Sequence, residues 1–250
     1  MGSTSRAKFR HVLEHLARTR PDIADPQAEI IAGHVLIDGR LVTNPRSQVR
    51  ADAAVVLRLP RALRGEDKLL AALDVFGIDV TDRACIDLGA SAGGFTRVLL
   101  GRGASRVYAV DAGYGQLRGN LRSDPRVVNL ERTNLGDLSA VPRDDPIDVV
   151  TMDLSYLSVA DAIPQLEILV FASDADLVAL VKPMFELGLD TPPTDEPSLQ
   201  RALDLAVAGV ERSAWRVVVT MPSPVTGSKG ARESLLHGRR ASDDSSQRRR

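Results

Sequence analysis

The stretch Asp87-Leu-Gly-Ala-Ser-Ala-Gly-Gly-Phe95 decides the fold, because an apolar run (Ala84 to Leu88) enters it and a helical pattern (Gly94 to Leu100) leaves it. A strand that turns on small residues straight into a helix is the opening of a nucleotide-binding βα unit. The next strand of such a unit delivers a carboxylate about 20 residues further on, where it grips a ribose. Here Val107-Tyr-Ala-Val-Asp111 ends in one.

Working outward, strands are expected at 84–88, 106–111, 126–131, 147–153, 175–182 and 215–221, with helices at 67–76, 94–102, 115–122, 158–170 and 197–212. Strand and helix in strict alternation predict an α/β fold: a Rossmann-like, mostly parallel sheet with helices on both faces. Functional residues then belong at the carboxyl ends of the strands.

Residues 1–60 read differently, as a small α+β module. His11 to Arg20 is helical up to Pro21, and a second helix runs from Pro26, after the N-cap candidate Asp25, to Gly33. Val35 to Val42 alternates around an Asp38-Gly39 turn, a strong hairpin signal, and Ala54 to Leu59 is a third strand. Residues 61–67 read as a linker, 68–238 as the α/β domain and 239–250 as a disordered basic tail.

The charges nearly cancel, with a net −1, so any nucleic-acid partner must be met by local positive charge. No apolar run reaches the length of a membrane span and the amino terminus lacks an apolar signal core, so a cytoplasmic protein without membrane contact is expected. Cys85 is the only cysteine, which excludes an intrachain disulfide and leaves a core thiol. His11 and His15 stand i,i+4 on a helix but have no third ligand, so no metal is expected.

A dinucleotide loop places glycine at its first, third and sixth positions, and here those are Gly89, Ser91 and Gly94. Ser91 stands where the backbone would approach a pyrophosphate, which disfavours NAD-type binding. S-adenosylmethionine has no pyrophosphate, and the chemistry favours it: Asp87 to hold its cationic amine, Asp111 to accept from its ribose hydroxyls. NAD-type binding, and a tight turn that binds nothing, remain as alternatives.

Further motifs surround this block: Arg64-Gly-x-x-Lys68, Val110-Asp-Ala-Gly-Tyr-Gly-Gln116, Glu131-Arg-Thr-Asn134, Asp153-Leu-Ser-Tyr156, Val181-Lys-Pro-Met-Phe-Glu186 and Ser223-Pro-Val-Thr-Gly227. With the glycine loop they resemble the TlyA-type ribosomal RNA methyltransferases, within the FtsJ-like group of ribose 2′-O-methyltransferases. The resemblance implies a class I S-adenosylmethionine-dependent methyltransferase domain preceded by an S4-like RNA-binding module. It implies a Lys-Asp-Lys-Glu quartet at Lys68, Asp153, Lys182 and Glu233. It also implies S-adenosyl-L-methionine held around Asp87, Gly89, Ser91, Gly93, Gly94, Phe95, Asp111, Asn134 and Asp153. The implied partner is RNA, as rRNA or ribosomal subunits, met by a monomer. The chemistry of the quartet agrees. A ribose hydroxyl must lose its proton as the methyl arrives, and a lysine serves as base once burial or a neighbouring cation lowers its pKa. Lys182, with Lys68 as neighbour, is the candidate base, while Glu186 is expected to support its loop.

Three departures from the family's pattern stand out. Acidic Asp22, Asp25 and Glu29 replace an Arg-rich helix start. The segment 187–197, usually glycine-rich and basic, carries three acids (Asp190, Asp195, Glu196) and three prolines. The last strand is expected to be short, Ser234 to His237, and frayed at Arg239-Arg240. These departures keep a second reading open, O-methylation of a small nucleoside-like metabolite. Base N-methylation is a third, weakened by the absence of prolines in Asp153-Leu-Ser-Tyr156. A non-enzymatic RNA-binding protein is a fourth.

Overall fold

The computed structural model describes residues 8–31, 33–57, 64–142 and 146–241. The chain divides into two units, Met1–Arg61 and Ala62–Arg250.

The first unit contains β1 (Phe9–His11), α1 (Val12–Thr19), α2 (Pro26–Ile31), β2 (Val35–Ile37), β3 (Arg40–Val42), β4 (Gln48–Arg50) and β5 (Val55–Leu57). β2 lies between β3 and β5, and β1 pairs with β4. The β2–β3 hairpin turns on Asp38 and Gly39, both with positive φ (46° and 76°), the geometry that an Asp-Gly turn supplies. Val12, Leu16, Ile30, Val35 and Ile37 form its core. Asp25 does cap α2, accepting from Ala28 N–H at 2.9 Å. β1 and β4 were not expected. Phe9–His11 and Gln48–Arg50 each hold one apolar residue between or beside polar ones, too little to mark a strand.

The second unit runs α3 (Arg64–Phe76), β6 (Ala84–Leu88), α4 (Gly94–Gly101), β7 (Arg106–Asp111), α5 (Gly119–Arg122), β8 (Val127–Glu131), β9 (Ile147–Met152), α6 (Val159–Ala162), β10 (Phe171–Val181), α7 (Pro183–Glu186), α8 (Glu196–Glu211), β11 (Trp215–Pro222) and β12 (Ser234–Arg240). The seven-stranded sheet has the order β11-β12-β10-β9-β6-β7-β8. β8 through β10 are parallel, and β12 runs antiparallel to both neighbours. Each strand buries alternate residues on opposite faces. Cys85, Val149 and Val178 pack with α3 and α4 on one side; Ile86, Val150 and Leu177 pack with α6 and α8 on the other. Burial pushes the Cys85 thiol up to about 12, which keeps it protonated.

Several boundaries move. The expected linker 61–67 already becomes helix at Arg64, and residues 61–63 lie outside the described set. The helix expected at 115–122 shortens to Gly119–Arg122, and the one at 158–170 becomes α6 followed by a 3₁₀ turn over Ile163–Ile168. The last strand is not short or frayed. β12 pairs with β10 through Arg239 and with β11 through Arg240, because an inserted central strand has ladder partners on both sides. At its far end the Asp176 carboxylate accepts from Arg83, His237 and Arg239, which ties down the segment expected to start a tail. Residues 242–250 of that tail lie outside the described set.

Candidate active site

The chain order reverses between β6 and β9, and ligands in open α/β sheets bind at this switch, beyond the strands' carboxyl ends. A cavity of about 450 Å³ opens there. Asp153 N–H donates to Leu88 O at 2.9 Å, bringing the ends of the two strands together. Gly89 makes this possible: its φ is +86°, and a Cβ there would stand 2.4 Å from Asp153 O.

One wall is the β6–α4 turn. Ser91 takes a left-handed φ of 48°, an uncommon conformation for a residue with a side chain, and its N–H donates to Asp111 Oδ2 at 2.8 Å. Gly113 N–H donates to Asp111 Oδ1 at 2.6 Å. A carboxylate offers about four acceptor positions, so Asp111 keeps room for two hydroxyls. Gln116 reaches back to Ser91 Oγ at 3.2 Å. Val110, Leu135 and Leu154 add apolar surface.

Two ion pairs also line the cavity. Lys68, delivered by the first turns of α3, meets Glu233 at 2.5 Å, and both side chains are about 95% buried (6% and 5% exposed). Glu233 precedes β12, and Gly227 leaves it space: a Cβ there would lie 2.1 Å from Glu233 Oε1. Lys182, at the end of β10, meets Asp153 Oδ1 at 2.6 Å and donates to Ser155 Oγ at 3.2 Å. Thus Lys68, Asp153, Lys182 and Glu233 all line one cavity. Glu186, four residues after Lys182, is not part of the cavity's lining. Its Oε1 accepts from Val159 N–H at 2.6 Å, and burial pushes its carboxyl up to about 7.

Not every expected cofactor residue reaches the cavity. Gly89, Ser91, Asp111 and Asp153 line it. Gly94 and Phe95 line a smaller adjoining cavity of about 200 Å³. Gly93 is a packing glycine, since a Cβ there would strike Leu121 and Leu117 at 2.2 and 2.8 Å. Asn134 is exposed and does not line the cavity; its neighbours Thr133 and Leu135 do. Asp87 is fully buried under α4, accepting from Thr96 at 2.6 Å and Thr151 at 3.0 Å. Strand alternation puts it on the same face as Cys85, and desolvation raises its carboxyl to about 6. It holds the turn together instead of facing the cavity. The cavity also includes Gly113, Gln116, Ser155 and Tyr156. These stood inside the motifs Gly113-Tyr-Gly-Gln116 and Asp153-Leu-Ser-Tyr156, where no spacing rule singled them out. His11 and His15 bond separate carbonyls, Arg46 O at 2.9 Å and Ala53 O at 2.8 Å.

The donor set fits S-adenosylmethionine. Asp111 has free acceptor positions for a ribose, apolar side chains suit a flat base, and the lining carboxylates would offset a cationic sulfonium, with no phosphate cradle needed. Fold and cavity define a class I S-adenosylmethionine-dependent methyltransferase.

The comparisons narrow the class. The FtsJ-like methyltransferase family model matches residues 62–240. The chain is 42% identical to the Mycobacterium tuberculosis (strain CDC 1551 / Oshkosh) 16S/23S rRNA (cytidine-2′-O)-methyltransferase TlyA, covering 97% of this chain and 92% of that protein. It is 33% identical to Hemolysin A of Brachyspira hyodysenteriae, covering 83% and 90%. A solved Streptococcus thermophilus structure described as a hemolysin superposes with a TM-score of 0.66 at 29% identity, covering 95% and 90%. The chain belongs to the FtsJ-like methyltransferase family and, within it, to the TlyA-type RNA 2′-O-methyltransferases that use S-adenosyl-L-methionine.

Proposed function

We propose that the chain methylates a ribose 2′-hydroxyl of structured rRNA, a cytidine as in the M. tuberculosis relative's name, with Lys182 as general base. The observation that carries this is the convergence of two lysine–carboxylate pairs on the cavity that Asp111 also lines.

When bound, the cofactor supplies a sulfonium methyl, a leaving-group chemistry that needs no acid. The residues of the chain supply alignment and take the proton. Lys182 Nζ removes it from the 2′-hydroxyl as the O–C bond forms, and Asp153 holds that amine. Lys68, fixed by Glu233, contributes positive charge beside the developing alkoxide.

The acidic departures do not argue against an RNA partner, because most are engaged locally. Asp22 pairs with Arg20 at 2.6 Å, Asp25 caps α2, and Glu29 pairs with His34 at 2.8 Å. Asp195 caps α8 through Ser198 N–H at 2.9 Å, and Glu196 pairs with Arg232 at 2.6 Å. We assign residues 1–60 as the S4-like module that contacts RNA, and the acting species as a monomer. The test is methyl transfer from labelled cofactor to ribosomes, separate subunits and free rRNA, with nuclease digestion and mass spectrometry placing the methyl on cytidine ribose. Lys182→Ala abolishes it while cofactor binding survives in calorimetry. Undiminished activity in that variant removes the base assignment, and a blank on every RNA moves the acceptor to a small nucleoside-like molecule.

A further inference from the structure

A lysine that takes a proton must present its lone pair to the donor. A neutral amine has two N–H bonds and one lone pair, so its free rotation about the terminal C–N bond leaves that lone pair unaimed. Two acceptors in a fixed arrangement remove the freedom, because once both N–H bonds are engaged the lone pair has a single direction.

Lys182 Nζ has two such acceptors. One is Asp153 Oδ1 at 2.6 Å, a member of the quartet. The other is Ser155 Oγ at 3.2 Å, which belongs to no assigned role. Both come from the same short segment after β9, which is pinned at its two ends. Asp153 N–H is tied to Leu88 O at 2.9 Å, and Val159 N–H is tied to Glu186 Oε1 at 2.6 Å. Glu186 closes the turn that begins at Lys182, since its N–H donates to Lys182 O at 3.2 Å. Lysine and acceptors are therefore held by one interlocked piece of backbone.

The position of Ser155 suits this task. It lines the 450 Å³ cavity and also an adjoining one of about 290 Å³ formed with Pro183, Met184, Phe185 and Lys229. Lys182, Ser228 and Glu233 are likewise shared by both. The Ser155 hydroxyl accepts from Lys182 and keeps its own O–H free to donate at the junction of the two spaces.

We propose that Ser155 is a positioning residue for the methyl transfer: it engages the second N–H of Lys182 and so aims the amine's lone pair at the acceptor hydroxyl. This rests on the assignment of Lys182 as general base. The bonds balance simply. The methyl carbon leaves sulfur, the bond pair stays on sulfur, the methyl joins the 2′-oxygen, and the hydroxyl proton ends on Lys182 Nζ as an ammonium.

The test is single-turnover and steady-state kinetics on the rRNA substrate with the full chain. Ser155→Ala lowers kcat about tenfold, the effect of one hydrogen bond at an aligned site, while the RNA KM and the cofactor Kd stay within about twofold. Ser155→Thr, which restores the hydroxyl, recovers kcat to within about twofold. An active Lys182→Ala enzyme overturns the base assignment beneath the proposal. With an inactive Lys182→Ala, an unchanged kcat in Ser155→Ala or a failed rescue by threonine each overturns the role of Ser155 alone.

Discussion

The Lys68–Glu233 pair makes the sharpest stability prediction. The two charges meet at 2.5 Å with 6% and 5% of their side chains exposed, so each is left largely desolvated if its partner is removed. Breaking a buried pair costs about 3–5 kcal/mol. Both groups line the cavity, where water still reaches them, so the lower end, about 3 kcal/mol, applies to each single variant. For a domain of this size one kcal/mol moves Tm by about 2–4 °C, so Lys68→Met and Glu233→Met should each lower Tm by roughly 6–12 °C. The double variant Lys68→Met/Glu233→Met leaves no orphaned charge and restores apolar contact. It should therefore recover to within about 1 kcal/mol of the parent. All three variants should lose methyl transfer: Lys68 is absent from two of them, and in Glu233→Met it loses the partner that fixes it in its proposed place beside the reacting oxygen. Thermal unfolding by circular dichroism, with a labelled-methyl assay on the same samples, measures both effects. Single variants within about 2 °C of the parent, or a double variant no more stable than the singles, would refute the reasoning.

Three further outcomes follow from the same geometry. Glu186, pushed up to about 7 from 4.5 by burial, holds its proton more tightly in the folded chain than in the unfolded one. Its stabilising contribution is therefore complete below pH 4.5 and lost as pH rises through 7, so the parent should lose stability relative to Glu186→Gln across that window in urea titrations. Asp111→Ala should weaken S-adenosylmethionine binding by more than about tenfold in calorimetry, because it removes the ribose acceptor and releases the Ser91 and Gly113 amides. Asn134→Ala, at an exposed site outside the cavity, should leave the Kd within about twofold.

Much of the fold was legible because its signals are local. The apolar strands Ala84–Leu88 and Arg106–Asp111 are bounded by turn residues, and Asp38-Gly39 specifies its hairpin through backbone sterics alone. The helical stretch at 158–170 was misjudged because apolar content distinguishes neither an α-helix from a 3₁₀ turn nor its end. β12 was underestimated because Ser234–Arg240 looks polar at its end, and only pairing on both sides makes such a segment a secure strand. In the site, the quartet could be placed by motif, but the cofactor residues could not be sorted. Asp87 and Asp111 share one face of the sheet, since Asp87 pairs with Ala109, yet Asp87 lies inside its strand under α4 while Asp111 ends its strand one step past the partner of Leu88, at the cavity's rim.

The quartet was named through the resemblance of its motifs to a known family, while the sequence by itself determined the parallel α/β sheet, the small-residue turn at Gly89 and the Ser91 substitution that favours a cofactor without pyrophosphate. These depend on periodicity, φ preferences and chemistry, which neighbouring residues carry. The tertiary structure alone decided the pairing of Lys68 with Glu233 across 165 positions, the contact of Ser155 with Lys182, and the burial of Asp87. Those depend on which strand ends meet at the reversal between β6 and β9, a relation in space that no local pattern encodes.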